Sequence, residues 1–131
     1  MDTLLIDDDL IGIFLTERLL QKENFSHQIA SFTSAEAALT FLNQAPQADY
    51  PRVIFLDLNM PLVDGWEFLE SLRPLEPQLL GRCRIYILTS SLAHSDTSRV
   101  KDYPLVWGLI HKPIDQLQIQ SIRAQLAQDV G

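Results

Sequence analysis

The sequence predicts a doubly wound α/β fold with a five-stranded parallel sheet. Short apolar runs alternate with helical patterns five times along the chain, and no linker or repeat divides it. The clearest run, Val53-Ile54-Phe55-Leu56, is continuous and rich in β-branched residues, which is typical of a strand buried on both faces. Such alternation implies parallel strands joined by right-handed crossovers. We therefore expect residues 1–131 to form a single domain with helices on both faces of the sheet.

The first apolar run, residues 4–6, predicts the first strand. From residue 11 to about residue 24 the spacing of apolar residues becomes helical. The face expected to pack on the sheet consists of Ile11, Phe14, Leu15 and Leu19.

A second strand is predicted within residues 27–32, and a second helix follows to about Asn43. Ser34 is one candidate N-cap, and Thr33 is another because Glu36 stands at the spacing of a capping box. After the central strand, Asp64-Gly65 indicates a turn before a short helix. Residues 75–83, which include Pro77 and Gly81, are expected to form a long loop.

Residues 84–89 predict the fourth strand and residues 107–111 the fifth. Between them we expect a polar helix capped by Ser95 or Asp96 and ending near Tyr103, before Pro104. The apolar positions of the last predicted helix are Ile114, Leu117, Ile119, Ile122, Leu126 and Val130. The spacing of Leu117, Ile122 and Leu126 is roughly helical and predicts a stripe, with Ile119 off that stripe.

Composition limits the class of partner. The net charge of −7 disfavours nucleic acid and anionic membranes, which reward clustered Lys and Arg. Neither a signal peptide nor a membrane span is recognisable, so a cytoplasmic location is expected. The single cysteine, Cys83, is expected to be a small buried hydrophobic residue, and Trp66 and Trp107 are expected to be packing residues.

Polar groups suited to phosphoryl chemistry follow four of the predicted strands. The carboxyl ends of parallel strands share one edge of the sheet, where open α/β folds bind ligands. Oxygen-rich acidic clusters suit Mg²⁺, a lysine suits an anion, and an aspartate between them has the surroundings of a nucleophile towards phosphorus. Alternatively, Asp57 caps the next helix and Asp9 is an N-cap rather than a ligand. The groups are Asp7-Asp8-Asp9 after strand one, Asp57 and Asn59 after strand three, Thr89 and Lys112.

In their order and spacing, these motifs resemble the receiver domain of two-component response regulators, which has a flavodoxin-like fold. The resemblance covers essentially the whole chain and includes Asp57-Leu-Asn-Met-Pro61, Thr89-Ser90 and Lys112-Pro113. It implies that Asp57 accepts phosphate from a phosphohistidine on a histidine kinase or histidine phosphotransfer protein. It also implies Mg²⁺, with Mn²⁺ as an alternative, held by Asp7, Asp8, Asp57 and the backbone carbonyl of Asn59.

By the same resemblance, Thr89 is the switch hydroxyl, Lys112 binds the phosphate, and the Lys112-Pro113 bond is a candidate for the cis form. Ser91 and Asn59 are expected to influence the lifetime of the phosphoryl group. Leu109 stands where many receivers carry Tyr or Phe, so the output is expected to rely on residues 89–103. A stand-alone interaction module without a DNA-binding domain is expected, with an unknown downstream partner and with homodimerisation compatible with the resemblance.

Two other functions fit the sequence less well. A metal-dependent phosphohydrolase of the haloacid-dehalogenase kind would need a second acid two residues after Asp57, but Asn59 stands there and cannot transfer a proton. A nucleotide-binding protein of flavodoxin type would need a glycine-rich phosphate loop, which the sequence lacks.

Overall fold

The computed structural model describes residues 2–90 and 94–128 and contains one five-stranded parallel sheet. Its strand order is β2-β1-β3-β4-β5, which is the flavodoxin-like order. The predicted fold is therefore confirmed. The strands are β1 (Thr3–Ile6), β2 (Ile29–Phe32), β3 (Val53–Asp57), β4 (Arg84–Thr89) and β5 (Val106–His111).

Helices cover both faces of this sheet. Short 3₁₀ turns at residues 47–49, 73–75 and 100–102 connect some of them. Within the described residues, none of the helices has the length and apolar character needed to cross a bilayer. The helices are α1 (Leu10–Lys22), α2 (Ala35–Gln44), α3 (Gly65–Ser71), α4 (Glu76–Leu79), α5 (His94–Arg99) and α6 (Gln116–Gln128).

Two hydrophobic cores lie on opposite faces of the sheet, because successive strand residues point to opposite sides. On one face Ile54, Leu56 and other strand residues pack with the buried residues of α2, α3 and α4. On the other face Phe55 and its neighbours pack with α1 and α6. The central strand β3 is buried along its whole length, as its continuous apolar run predicts.

The predicted core face of α1 is wrong for three of its four residues. The side chains that face the sheet are Ile13 and Leu20, which are 8% and 0% exposed and lie two helical turns apart. Leu19 is half-buried and packs against the same core. Apolar residues surround the amino-terminal half of this helix, so their periodicity could not decide which line meets the sheet. The residues left exposed are Ile11, Phe14 and Leu15.

The predicted stripe of α6 is also wrong at two positions. Ile119 is fully buried and packs with Ile122, whereas Leu117 is 74% exposed. Asp115 accepts a hydrogen bond from the Gln118 amide at 2.8 Å and so caps the amino end of α6. With the helix starting at this residue, Leu117 lies on the side away from the sheet. Residue 130, an apolar position of the predicted helix, lies outside the described residues.

The structure also shows how two helices begin. Of the two candidate caps for α2, Ser34 is the one that caps it, because its hydroxyl accepts from the Ala37 amide at 3.2 Å. Asp64 does not form an isolated turn but caps α3 in a reciprocal capping box with Glu67. Each cap satisfies amide groups that the first helical turn leaves unpaired.

Two further segments differ in extent. Residues 75–83 are not a continuous loop, because α4 forms within them with Pro77 in its first turn. Ser95 and Asp96 lie within α5, so the prediction that either of them caps this helix is wrong, although the helical segment does end before Tyr103.

Among the residues expected to be buried, Cys83 is 2% exposed and burial raises the pKa of its thiol to about 12, which confirms a structural role. Trp66 is buried at 6% exposed, as expected. Trp107 is 51% exposed, so the expectation of a packing role is wrong for this residue.

The burial of α6 gives a direct test of the corrected register. Ile119→Ala should destabilise the protein by about 2–5 kcal/mol, because it removes a fully buried side chain and leaves a cavity. Leu117→Ala is the matched control and should change stability by less than about 0.5 kcal/mol. Urea unfolding followed by circular dichroism measures both. Equal losses in the two variants would contradict the packing described.

Candidate functional site

Three polar side chains are buried at the carboxyl edge of the sheet. Residues 6 and 56 are paired in the β1–β3 ladder, so the residues that follow them, Asp7 and Asp57, lie side by side at its carboxyl end. Asp7, Asp57 and Thr89 are 7%, 3% and 1% exposed. Burying carboxylates is costly unless they are paired, so this edge requires a compensating charge.

Lys112 supplies that charge. Its Nζ lies 3.1 Å from Asp7 Oδ2 and 3.2 Å from Asp57 Oδ1, so one ammonium group bridges both buried acids. The backbone amide of Lys112 donates to the Thr89 carbonyl at 2.7 Å, which fixes the start of its loop to the end of β4. The Lys112-Pro113 bond is cis, as expected.

The acids at this edge fit a hard cation. Asp7, Asp8 and Asp57 each offer a carboxylate oxygen within 4.8 Å of the others. Asp8 is exposed, so a cation held here would keep access to water, as Mg²⁺ prefers. Asp9 instead accepts from the Ile11 amide at 3.0 Å and caps α1, which confirms the alternative to a ligand.

The electrostatics of the edge are unbalanced without a cation. Burial, and then the charge of Asp7, raise the pKa of Asp57 to about 6, against the opposing effect of Lys112. The pKa of Lys112 is raised although its burial acts to lower it, because the hydrogen bond to Asp7 and the two carboxylate charges outweigh burial. Three carboxylates and one ammonium leave two net negative charges, which a divalent cation would neutralise.

The loop after Asp57 is held at both ends. The Asn59 amide donates to Asp57 Oδ1 at 3.2 Å, and the Gly65 amide donates to the Leu58 carbonyl at 3.0 Å. A Cβ atom at Gly65 would lie 2.9 Å from Leu58 Cα, so only glycine permits this approach. The role of the Asn59 carbonyl as a metal ligand stays a prediction.

Sequence reasoning missed two features beside the acids. A Cβ atom at Gly12 would lie 3.2 Å from Asp7 Oδ2, so this helical glycine leaves room for the carboxylate. A groove of about 280 Å³ runs from Asp7 and Lys112 to Leu15 and Ile114, between α1 and the loop before α6. A glycine inside a helical pattern was the available sign of the first feature.

A stack of aromatic and arginine side chains joins α3 to the segment that follows β4. The rings of Trp66 and Tyr103 stack with centroids 5.7 Å apart. Arg99 lies over Trp66 at 4.6 Å, and Arg73 lies over Tyr103 at 4.7 Å. We call these four residues the arginine–aromatic stack. Leu109 is half-buried and packs against the hydrophobic core that contains Ile54 and Leu56. Residue 91 lies outside the described residues.

A model of the response regulator receiver domain matches residues 3–123. The chain belongs to this receiver family. Receiver domains accept phosphoryl groups from histidine kinases in two-component signalling and generally bind Mg²⁺ at an acidic pocket. The fold and the family are those expected from the sequence.

Known proteins resemble this receiver over most of its length. Response regulator Rcp1 of Synechocystis is 31% identical over 107 residues, which is 78% of this chain and 69% of Rcp1. The solved receiver protein of Dyadobacter fermentans is 30% identical, with a TM-score of 0.85 and coverage of 99% and 98% of the two chains. A two-component response regulator from Cytophaga hutchinsonii is 27% identical, with a TM-score of 0.86 and coverage of 97% and 96%.

Other relatives are longer than this receiver. Hybrid signal transduction histidine kinase L of Dictyostelium discoideum is 30% identical over 120 residues, and the match spans 91% of this chain but 7% of the kinase. Probable methanogenesis regulatory protein FilR2 of Methanothrix harundinacea is 30% identical over 98 residues, which is 62% of its length.

The raised pKa of Asp57 predicts how stability depends on pH in metal-free buffer. A folded-state pKa of about 6 against an ordinary 3.8 means that the folded protein holds this proton more tightly, so stability falls as the pH rises from about 4 to about 6 and stays lower above it. Asp57→Asn should therefore stabilise the protein by about 1–3 kcal/mol at neutral pH, given ~1.4 kcal/mol per pKa unit.

Urea unfolding at several pH values measures this effect. The gain from Asp57→Asn should shrink as the pH falls from about 6 and should vanish well below the ordinary pKa of 3.8, where the wild-type carboxyl is protonated in both states. Added Mg²⁺ should stabilise the wild type more than the variant. A variant that is less stable than the wild type at neutral pH would show that Asp57 is held as a favourable ion pair instead.

Proposed function

We propose that this receiver accepts a phosphoryl group on Asp57 from a phosphohistidine of a histidine kinase or histidine phosphotransfer protein. The observation that carries the proposal is the bridge from Lys112 to both Asp57 and Asp7 at a buried strand edge. This arrangement combines an acceptor carboxylate, a fixed cation for the phosphoryl oxygens and an adjacent acid cluster.

In the proposed transfer, an Oδ atom of Asp57 attacks phosphorus while the P–N bond to the donor histidine breaks and its electron pair returns to the imidazole. Lys112 keeps its proton and turns from a carboxylate pair to the phosphoryl oxygens. Asp7, Asp8 and Asp57, with the Asn59 carbonyl, would hold Mg²⁺ or Mn²⁺, which supplies positive charge to the phosphoryl oxygens when bound.

The proposed role is that of a phosphoacceptor and not of a catabolic phosphatase. Asn59 follows Asp57 at the position where a phosphohydrolase of the kind considered above needs an acid, and an amide does not donate or remove a proton there. The same pocket leaves the phosphoryl group open to slow attack by water, so self-dephosphorylation is expected, at a rate that Asn59 and Ser91 influence.

Signal output is proposed to run through Thr89 and the segment at 94–103. A phosphoryl group on Asp57 would attract the Thr89 hydroxyl at the neighbouring strand end, since oxygens of a phosphoryl group are strong acceptors. The segment beyond Thr89 is tied to α3 through Tyr103 of the arginine–aromatic stack. Because Leu109 lacks a ring that could reorient, this stack is the contact through which the segment would shift between two states.

The phosphohistidine partner is proposed to dock on α1. Ile11, Phe14 and Leu15 are 71%, 56% and 59% exposed, and together with Leu10 they form an apolar patch. Ile11 and Leu15 also line the groove that opens on Asp7 and Lys112, so the patch is continuous with the acceptor site. A protein that presents a phosphohistidine to Asp57 must cover this surface, and a helix with an apolar face fits it.

We further propose that the receiver works as a protein-interaction module in the cytoplasm. The buried, unpaired thiol of Cys83 is compatible with a reducing compartment.

Phosphorylation can be tested with a small donor. Incubation with Mg²⁺ and acetyl phosphate should add a single phosphoryl group, detected by intact mass, that is labile in alkali. In the same sample, amide hydrogen exchange in residues 94–103 should change, because the proposed route passes through this segment.

Asp57→Asn is the control for both readouts and should show neither the adduct nor the exchange difference, and removal of metal should strongly reduce labelling. Rapid turnover of many phosphate esters would contradict the acceptor role. An adduct without any exchange difference at 94–103 would contradict the output route alone.

Docking on α1 can be separated from chemistry by comparing donors. In Phe14→Ser/Leu15→Ser, transfer from a phosphotransfer protein that labels the wild type should slow by about tenfold or more, since truncating central apolar contacts typically costs over 1 kcal/mol each. Labelling by acetyl phosphate should stay within about twofold, because this donor needs no docking surface.

Leu80→Ser is the matched control, since Leu80 is 46% exposed and follows α4, outside the α1 patch. It should leave both donors unaffected. Equal slowing with both donors, or an equal effect of Leu80→Ser, would contradict the proposed docking face.

A further inference from the structure

A second cavity lies at the opposite edge of the sheet from Asp57. Its volume is about 190 Å³, and three arginines line it, Arg52, Arg82 and Arg84. Trp107 borders it, and no acidic residue is among the described residues that line it. The chain has 10 Lys and Arg residues and a net charge of −7. Three arginines around one cavity therefore form a local positive cluster in an acidic protein.

The fold brings these arginines together from adjacent strand starts. Arg52 immediately precedes β3 and Arg84 opens β4, and the Arg84 amide donates to the Arg52 carbonyl at 2.9 Å. Arg82 follows Gly81, whose φ of 83° is in the left-handed region. The Arg82 amide donates to the Leu79 carbonyl at 2.9 Å, which anchors the turn to the end of α4. The backbone positions of all three residues are therefore fixed by sheet or helix.

The three guanidinium groups have different roles. Arg84 is 6% exposed, and its Cζ lies 3.7 Å from the ring centroid of Trp107. It has other contacts as well, so it supplies a fixed charge at the cavity wall rather than a group waiting for a ligand. Arg52 and Arg82 are exposed and can turn towards an anion at the cavity mouth.

The chemistry of the cavity favours binding without reaction. Cys83 lines it, but burial raises the pKa of this thiol to about 12, so it is not a nucleophile at neutral pH. The planar donor forks of arginines match phosphate oxygens, and clustered positive charge favours a dianion over a monoanion.

We propose that this cavity is a binding site for a compact phosphate dianion, either inorganic phosphate or the phosphate group of a small phosphomonoester. Arg52 and Arg82 contact the phosphate oxygens, and Arg84, held against Trp107, completes the positive wall. The proposal is independent of phosphoryl transfer at Asp57, since the two sites lie at opposite strand ends.

The test is a titration with sodium phosphate, with glycerol phosphate as a second arm, in metal-free buffer at constant ionic strength. Two-dimensional NMR spectra that correlate each N–H nitrogen with its proton report on individual residues. We expect saturable shifts of the Gly81 amide and the Trp107 indole N–H. Tighter binding of glycerol phosphate would assign a phosphomonoester, and tighter binding of phosphate would assign the free ion.

Arg52→Ala/Arg82→Ala should raise the dissociation constant for phosphate by about tenfold or more, equivalent to ~1.4 kcal/mol of binding free energy. Arg18→Ala/Lys101→Ala is the matched control, because it also removes two exposed cations but outside the cavity, and its dissociation constant should stay within about twofold of wild type. Shifts that do not saturate, or that weaken equally in both double variants, would overturn the proposal.

Discussion

The close approach of Asp7 and Asp57, with Lys112 between them, is the constraint on which the rest of the structure depends. Lys112 and Asp7 are 105 positions apart in the chain and meet only because β1, β3 and β5 end at one edge. The pKa of Asp57 is raised first by burial and then by the charge of Asp7, so holding the two carboxylates together at this edge has a cost. Fully buried side chains such as Ile54 and Leu56 in β3 keep the strand ends in place despite it.

The sheet and the acidic edge could be predicted because their signals are local. A strand buried on both faces reads as a continuous apolar run, and the polar residue that ends it marks the edge. The buried faces of the helices were harder to predict, because each helix has apolar residues along several lines and tertiary packing decides which line is buried. In α1 the buried residues are Ile13 and Leu20. In α6 Ile119 is buried, although the spacing alone had placed it off the stripe.

Other features had no local sign, since they need tertiary structure. The arginine–aromatic stack joins residues 66–73 to residues 99–103, and its Trp66 and Tyr103 gave no pattern in the sequence. The arginine cavity did leave a trace, because Arg52 and Arg84 stand directly at the starts of neighbouring apolar runs. Acidic residues at the ends of strands predict a site, and cationic residues at the starts of neighbouring strands predict one equally well, because parallel strands bring both sets together by the same geometry.

The backbone contact between Leu58 and Gly65 closes the loop that joins β3 to α3. The two residues are linked by one hydrogen bond of 3.0 Å, and a Cβ atom at Gly65 would have no room. Within the closed loop, Leu62 is 91% exposed and has a φ of 67°, a left-handed conformation that is costly for a residue with a side chain. Position 65 is therefore restricted to glycine by the neighbouring backbone, whereas position 62 is restricted by its own backbone conformation and not by packing of its side chain.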